Sequence, residues 1–131
     1  MDISKFNTTT ASDNAQTLHL RDPFTDEVIM DENSDSLDIY LYGIQSTAAR
    51  NAIADRERKS NKGKMSAEAS RRLGAEFLAS LTVGWSENIE AEGEPLKHNY
   101  QNAVKLYMEN DWIGQQVIQF VNNLENYAPK A

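Results

Sequence analysis

Residues 83–96 read VGWSENIEAEGEPL, a tryptophan followed by an acidic run that ends in Gly-Glu-Pro. Either this stretch closes over a site or it joins two packed elements, and its neighbours decide between the two. Upstream, Ala69, Leu73, Phe77 and Leu81 recur every four residues with Leu78 beside them. That spacing predicts an amphipathic helix, which Ser66 can cap. Downstream, Tyr100, Ala103, Val104, Tyr107 and Met108 fall at i, i+3, i+4, i+7 and i+8 behind Asn99, a good capping residue. The stretch between them is expected to be a connector. Trp85 folds back onto the shared core, the carboxylates stay in water, and Gly93 and Pro95 turn the chain.

The pattern extends outward in both directions. Asn110 or Asp111 can cap a last helix whose stripe is Ile113, Val117, Phe120, Val121 and Leu124, and Pro129 stops it. Ser46 can cap a helix carrying Ala48, Ala49, Ala52 and Ile53 on one side; Ser60-Asn61-Lys62-Gly63-Lys64 breaks it. Before that the period changes to two. Leu18 and Leu20 alternate with polar neighbours, and Asp22-Pro23-Phe24-Thr25-Asp26 is a turn signal. Glu27–Met30 reads as a returning strand. After a polar loop at 31–36, Leu37, Ile39 and Leu41 share one face up to Gly43. The expected class is α+β: a small N-terminal antiparallel sheet of about three strands within residues 17–43, then a four-helix portion over 46–127. Residues 1–16, rich in Ser, Thr, Asn and Asp, read as a flexible arm, and 17–131 as a single domain.

A chain of 131 residues is the size of one domain and can bury a core without staples. It has no cysteine, which removes disulfides and thiolate ligands and fits a reducing cytosol. No run is long and apolar enough to span a membrane, and the N-terminus lacks an apolar signal core. The net charge of −7 is unevenly spread. Residues 1–49 hold nine acids against two bases, 50–72 hold eight bases against three acids, and 73–131 hold eight acids against three bases. An acidic whole argues against general nucleic-acid binding, since phosphate contacts supply most of that affinity. Blocks of opposite sign suit self-association or docking on another protein.

No catalytic constellation emerges from these residues, and no metal or cofactor is expected. His19 and His98 lie in different elements with no third ligand at zinc spacing. Asp31, Asn33 and Asp35 match the first three positions of a calcium loop, but Ser36 replaces the glycine at the sixth and Tyr42 the glutamate at the twelfth. Glu87, Glu90, Glu92 and Glu94 have nothing buried around them to tune an acid/base pair. The basic segment carries Arg50, Arg56, Arg58, Lys59, Lys62, Lys64, Arg71 and Arg72. It reads either as a solvated face with local pairs such as Asp55–Lys59, or as a surface for an acidic protein or a sister subunit. Nucleic acid is the weaker alternative, because no aromatic residue interleaves with these bases. Trp85 and Trp112 read as core anchors or as interface residues.

Taken together, Leu81-Thr82-Val83-Gly84-Trp85, Glu92-Gly93-Glu94-Pro95-Leu96, Tyr100–Tyr107, Asp111-Trp112-Ile113 and Gln116–Phe120 resemble the tail assembly chaperones of long-tailed bacteriophages. Leu18-His19-Leu20-Arg21-Asp22-Pro23 and Gly43-Ile44-Gln45-Ser46 look like that family's opening sheet and turn. The resemblance spans about residues 16–127; Asp26 stands where many such turns carry glycine. It implies a non-enzymatic protein of the host cell cytoplasm that binds the tape measure protein and keeps it soluble. Such a protein helps recruit major tail tube subunits and is absent from the mature virion. It is expected to form homo-oligomers, head to tail, through its acidic and basic blocks. Competing readings are another head–tail or tail structural part, such as a connector or terminator, and a small nucleic-acid adaptor using residues 50–72.

Overall fold

The structure, a computed structural model, describes residues 1–60 and 63–129. Among them are five α-helices: α1 (Thr8–Ser12), α2 (Thr47–Ser60), α3 (Ala67–Leu81), α4 (Tyr100–Glu109) and α5 (Asp111–Asn122). Five short strands accompany them: β1 (Gln16–His19), β2 (Asp38–Leu41), β3 (Thr82–Trp85), β4 (Glu90–Ala91) and β5 (Glu94–Pro95). The class is α+β, as expected. The sheet is not wholly N-terminal, however. Its order is β1-β2-β3, antiparallel throughout, and its third strand comes from the start of the 83–96 stretch.

The expected third strand at Glu27–Met30 makes only isolated bridges, Arg21 with Val28 and Met30 with Ser36. The reason is local. Asp22 accepts the amides of Phe24 and Thr25, and Asp31 accepts those of Asn33 and Asp35, so tight turns at both ends leave no length for a ladder. Asp26 stands at φ +62°, in the left-handed region that glycine prefers and aspartate tolerates. In β2, Ile39 and Leu41 are fully buried while Tyr40 between them faces outward. Ile39 faces Leu18 on one side and Trp85 on the other. Tyr40 pairs with Gly84 and Leu41 with Thr82, so Val83 is the extra residue of a bulge.

The helices begin where the capping residues place them. Ser46, Ser66 and Asn99 accept the amides of Ala49, Ala69 and Asn102 at the starts of α2, α3 and α4. Asn110 works differently: its side chain donates to Leu106 O and closes α4 rather than capping α5. Helix α3 lies at the centre of the helical layer and packs on α2, α4 and α5. Ala75, Leu78 and Leu81 of α3, Ala103, Val104 and Tyr107 of α4, and Ile113, Val117 and Val121 of α5 form the core with Ile39 and Leu41. Tyr107 donates to Thr82 Oγ1 at 2.7 Å, and the Thr82 hydroxyl donates to Leu78 O. Burial pushes the Tyr107 phenol up to about 12.

Residues 1–16, whose composition reads as a flexible arm, carry two short helical turns. Ile3–Phe6 is a 3₁₀ turn, and Asn7 caps α1 by accepting the Thr10 amide. Ser12 is fully buried, and its carbonyl accepts the Gly43 amide at 2.9 Å. A Cβ on Gly43 would meet Ser12 Oγ at 2.7 Å and Ser12 Cβ at 2.9 Å, so only glycine admits this approach. At the other end, a 3₁₀ turn at Leu124–Tyr127 places Tyr127 in the core, where its hydroxyl donates to Leu41 O at 3.1 Å. Among the described residues no helix is long and apolar enough to cross a membrane.

Candidate interaction surfaces

The 83–96 stretch ties three parts of the chain together. Its strand β3 closes the sheet. Ser86 then continues the pairing: its amide donates to Asp38 O, and its Oγ accepts the Asp38 amide, both at 2.9 Å. Two residues on, the Asn88 amide group donates to Asp31 Oδ2 at 2.9 Å and to Ser36 O at 3.0 Å. That contact, with the Asp35 amide behind it, holds the Asp31 carboxyl below the usual carboxylate range. The Asp31–Asp35 segment is thus a clamped turn whose carboxylate already accepts N–H donors. The remainder, expected to be a plain turn, is a β4–β5 hairpin. Glu92 at φ +55° and Gly93 at φ +81° make its tip, as a two-residue hairpin with right-handed strand twist requires.

Trp85 belongs to the core rather than to a surface. Its indole N–H donates to Leu96 O at 2.7 Å, and His98 meets its ring edge to face at 4.9 Å between centroids. Trp112 is half-buried and helps line a groove of about 550 Å³ between the hairpin and the α4–α5 corner. Leu20, Leu37, Ile89, Leu96, Leu106 and Ile113 form the apolar walls of that groove. Glu90, Glu92, Glu94 and Glu109 stand on its rim with Lys105, and none of the four carboxylates is in an ion pair among the described residues. The charge run inside the stretch was visible in sequence, but Glu109 and the apolar walls were not. They come from segments far apart in the chain, around residues 20, 37, 89–96 and 105–113.

The basic residues are spread along α2 rather than gathered at one point. Arg50 donates to Thr9 Oγ1 at 2.8 Å, and the Arg56 guanidinium lies 5.8 Å from the Phe77 ring centroid. Arg58 pairs with Asp55 at 2.6 Å. Lys59 reaches Asp55 at 3.3 Å, the i,i+4 pair the spacing implied, and Glu76 at 3.7 Å. The hydrogen bond that Lys59 donates to Asp55 and the Glu76 charge raise the Lys59 ammonium above its ordinary value. Lys62 lies outside the described residues. A second, shallower groove of about 390 Å³ runs between α3 and α5; Gly74, Phe77, Leu78, Met108, Gly114 and Ile118 line it together with Arg56, Gln115 and the Arg71–Asp111 ion pair.

His19, Ser36 and Asp38 form a cluster that no local sequence pattern announces. His19 Nδ1 lies 2.6 Å from Asp38 Oδ1, and Ser36 Oγ donates to the same carboxylate oxygen at 2.7 Å. Ser36 Oγ is also 3.3 Å from Nδ1. Serine and aspartate therefore meet the same ring nitrogen, and the hydroxyl proton points to the carboxylate. A histidine base would need Nδ1 on the aspartate and Nε2 on the serine. The cluster is a turn lock joining β1 to β2. The neutral amide Gln116 does similar work at the front of the sheet, accepting the Arg21 amide at 2.8 Å and donating to Arg21 O at 2.7 Å. Compared with protein-family models, with curated proteins and with solved structures, the chain matches none.

Proposed function

We propose that this chain is a non-enzymatic tail assembly chaperone of a long-tailed bacteriophage. In the host cytoplasm it binds the tape measure protein, keeps it soluble, helps recruit tail tube subunits and leaves before the particle matures. The observation that carries the reading is the resemblance over residues 16–127, whose residues serve as joints of one fold. Trp85 bonds Leu96 O, Gly93 turns the hairpin, Asn99 caps α4 and Gln116 clamps Arg21. The groove between α3 and α5 supports it as well. Helix-interior Gly74 has open space where a Cβ would stand, and Ile118 is exposed beside it. Such a surface admits the close approach of an apolar helical stripe. The nucleic-acid alternative draws less support, because the chain carries a net charge of −7 and phosphate contacts supply most of that affinity. The rival structural reading is separated by mass spectrometry of purified particles. A chaperone is present in infected cells and missing from the virion; recovery in particles at stoichiometric level rejects the proposal.

A further inference from the structure

The chain carries two surfaces that complement each other and do not meet within one copy. One is the acid-rimmed groove between the β4–β5 hairpin and the α4–α5 corner, with Glu90, Glu92, Glu94 and Glu109 around apolar walls. The other is the outward stripe of α2. Arg50, Ile53, Ala54 and Arg58 fall at i, i+3, i+4 and i+8, so they share one side of the helix, with the arginines roughly 12 Å apart along its axis. All four are exposed, Ile53 to 39%, so the stripe pairs an accessible apolar side chain with two cations. No residue of α2 lines the groove. We propose that the Arg50–Arg58 stripe of α2 docks into the acid-rimmed groove of a second copy. Ile53 seats against Leu37, Leu96 and Trp112 while the arginines face the rim carboxylates. Glu57 stands on the same stripe, opposes the rim, and keeps the contact weak and sensitive to salt. Because groove and stripe are different surfaces, each copy offers both, and the contact is heterologous: it builds rings or filaments rather than closed dimers. The inference stands on charge and shape alone and does not rest on the chaperone reading.

The test is sedimentation velocity of the full chain across a wide concentration range at low and high salt. The expected result is concentration-dependent growth at low salt that reverses at high salt. Two charge-reversed variants sharpen it, each first shown by circular dichroism to melt like the parent. Glu94→Lys with Glu109→Lys turns the groove basic; Arg50→Glu with Arg58→Glu turns the stripe acidic. Each alone should remain monomeric, since groove and stripe then carry like charge. Mixed together they should associate, because each stripe now finds an oppositely charged groove. Glu57→Lys should strengthen the parent's association. A parent that stays monomeric at every concentration overturns the proposal, as does association unchanged by either variant, or a mixture that fails to associate.

Discussion

Trp85→Ala tests whether the 83–96 stretch is a structural joint. The side chain is only 7% exposed, and its N–H bonds Leu96 O at 2.7 Å. A buried tryptophan removes about 150–250 Å² from water, worth roughly 4–6 kcal/mol at ~25 cal/mol per Å². Truncation of such residues costs about 3–5 kcal/mol in practice. The Leu96 carbonyl also loses its donor, which adds about 1 kcal/mol. A chain of 131 residues is typically stable by about 7–20 kcal/mol, so the variant folds but melts on the order of 15 °C lower. Trp85→Phe keeps most of the burial and loses the hydrogen bond, for about 1–2 kcal/mol. Urea titration followed by far-ultraviolet circular dichroism measures both without relying on the lost fluorophore. If Trp85→Ala costs less than about 1 kcal/mol, the burial argument is wrong. Loss of partner binding at parental stability would make Trp85 a contact residue instead.

Gly43→Ala forces a Cβ against Ser12 and should cost about 1–3 kcal/mol, with a smaller penalty in a Ser12→Gly background; a double-mutant thermal-melt cycle checks the coupling. Asn88→Ala removes the main cause of the low Asp31 pKa. Asp31 stabilises the fold above its unfolded value and loses that effect as pH falls through its folded one. The variant's Asp31 should therefore titrate nearer the ordinary carboxylate range by carbon-detected NMR, and an unmoved titration would remove Asn88 as the cause. Tyr107 is held neutral by burial, with its phenol near 12 against an ordinary 10. Its contribution is complete below about pH 10 and declines as pH rises toward about 12, by roughly 3 kcal/mol. Tyr107→Phe should flatten that decline in urea melts at alkaline pH, and an unchanged alkaline limb would count against the assignment.

What the sequence disclosed was local chemistry. Ser46, Ser66 and Asn99 announce helix starts because a capping oxygen needs only the next three amides. The Leu37–Leu41 alternation announces β2 because burial on one face is written in every second residue. Strand β3 escaped for the opposite reason. Thr82–Trp85 continues the apolar pattern of α3, and its strand character comes from pairing with a segment over forty positions earlier. Glu27–Met30 reads as a longer strand than it is because Val28, Ile29 and Met30 look strand-like, while the Asp22 and Asp31 turns that shorten their pairing are side-chain effects. The basic stretch was legible as charge. The groove was not, since its walls come from Leu20, Leu37, Ile89, Leu96, Leu106 and Ile113 in separate elements.

The central functional claim turns on one protein: the long helical tape measure protein expected from the neighbouring reading frame. Expressed alone, that protein should partition into the insoluble fraction, because its apolar stripes lack partners. Expressed with this chain, it should become soluble and co-elute with it, and charge or bulk introduced into the α3–α5 groove, as in Gly74→Arg, should reverse the rescue. A tape measure protein equally insoluble with and without this chain would contradict the account.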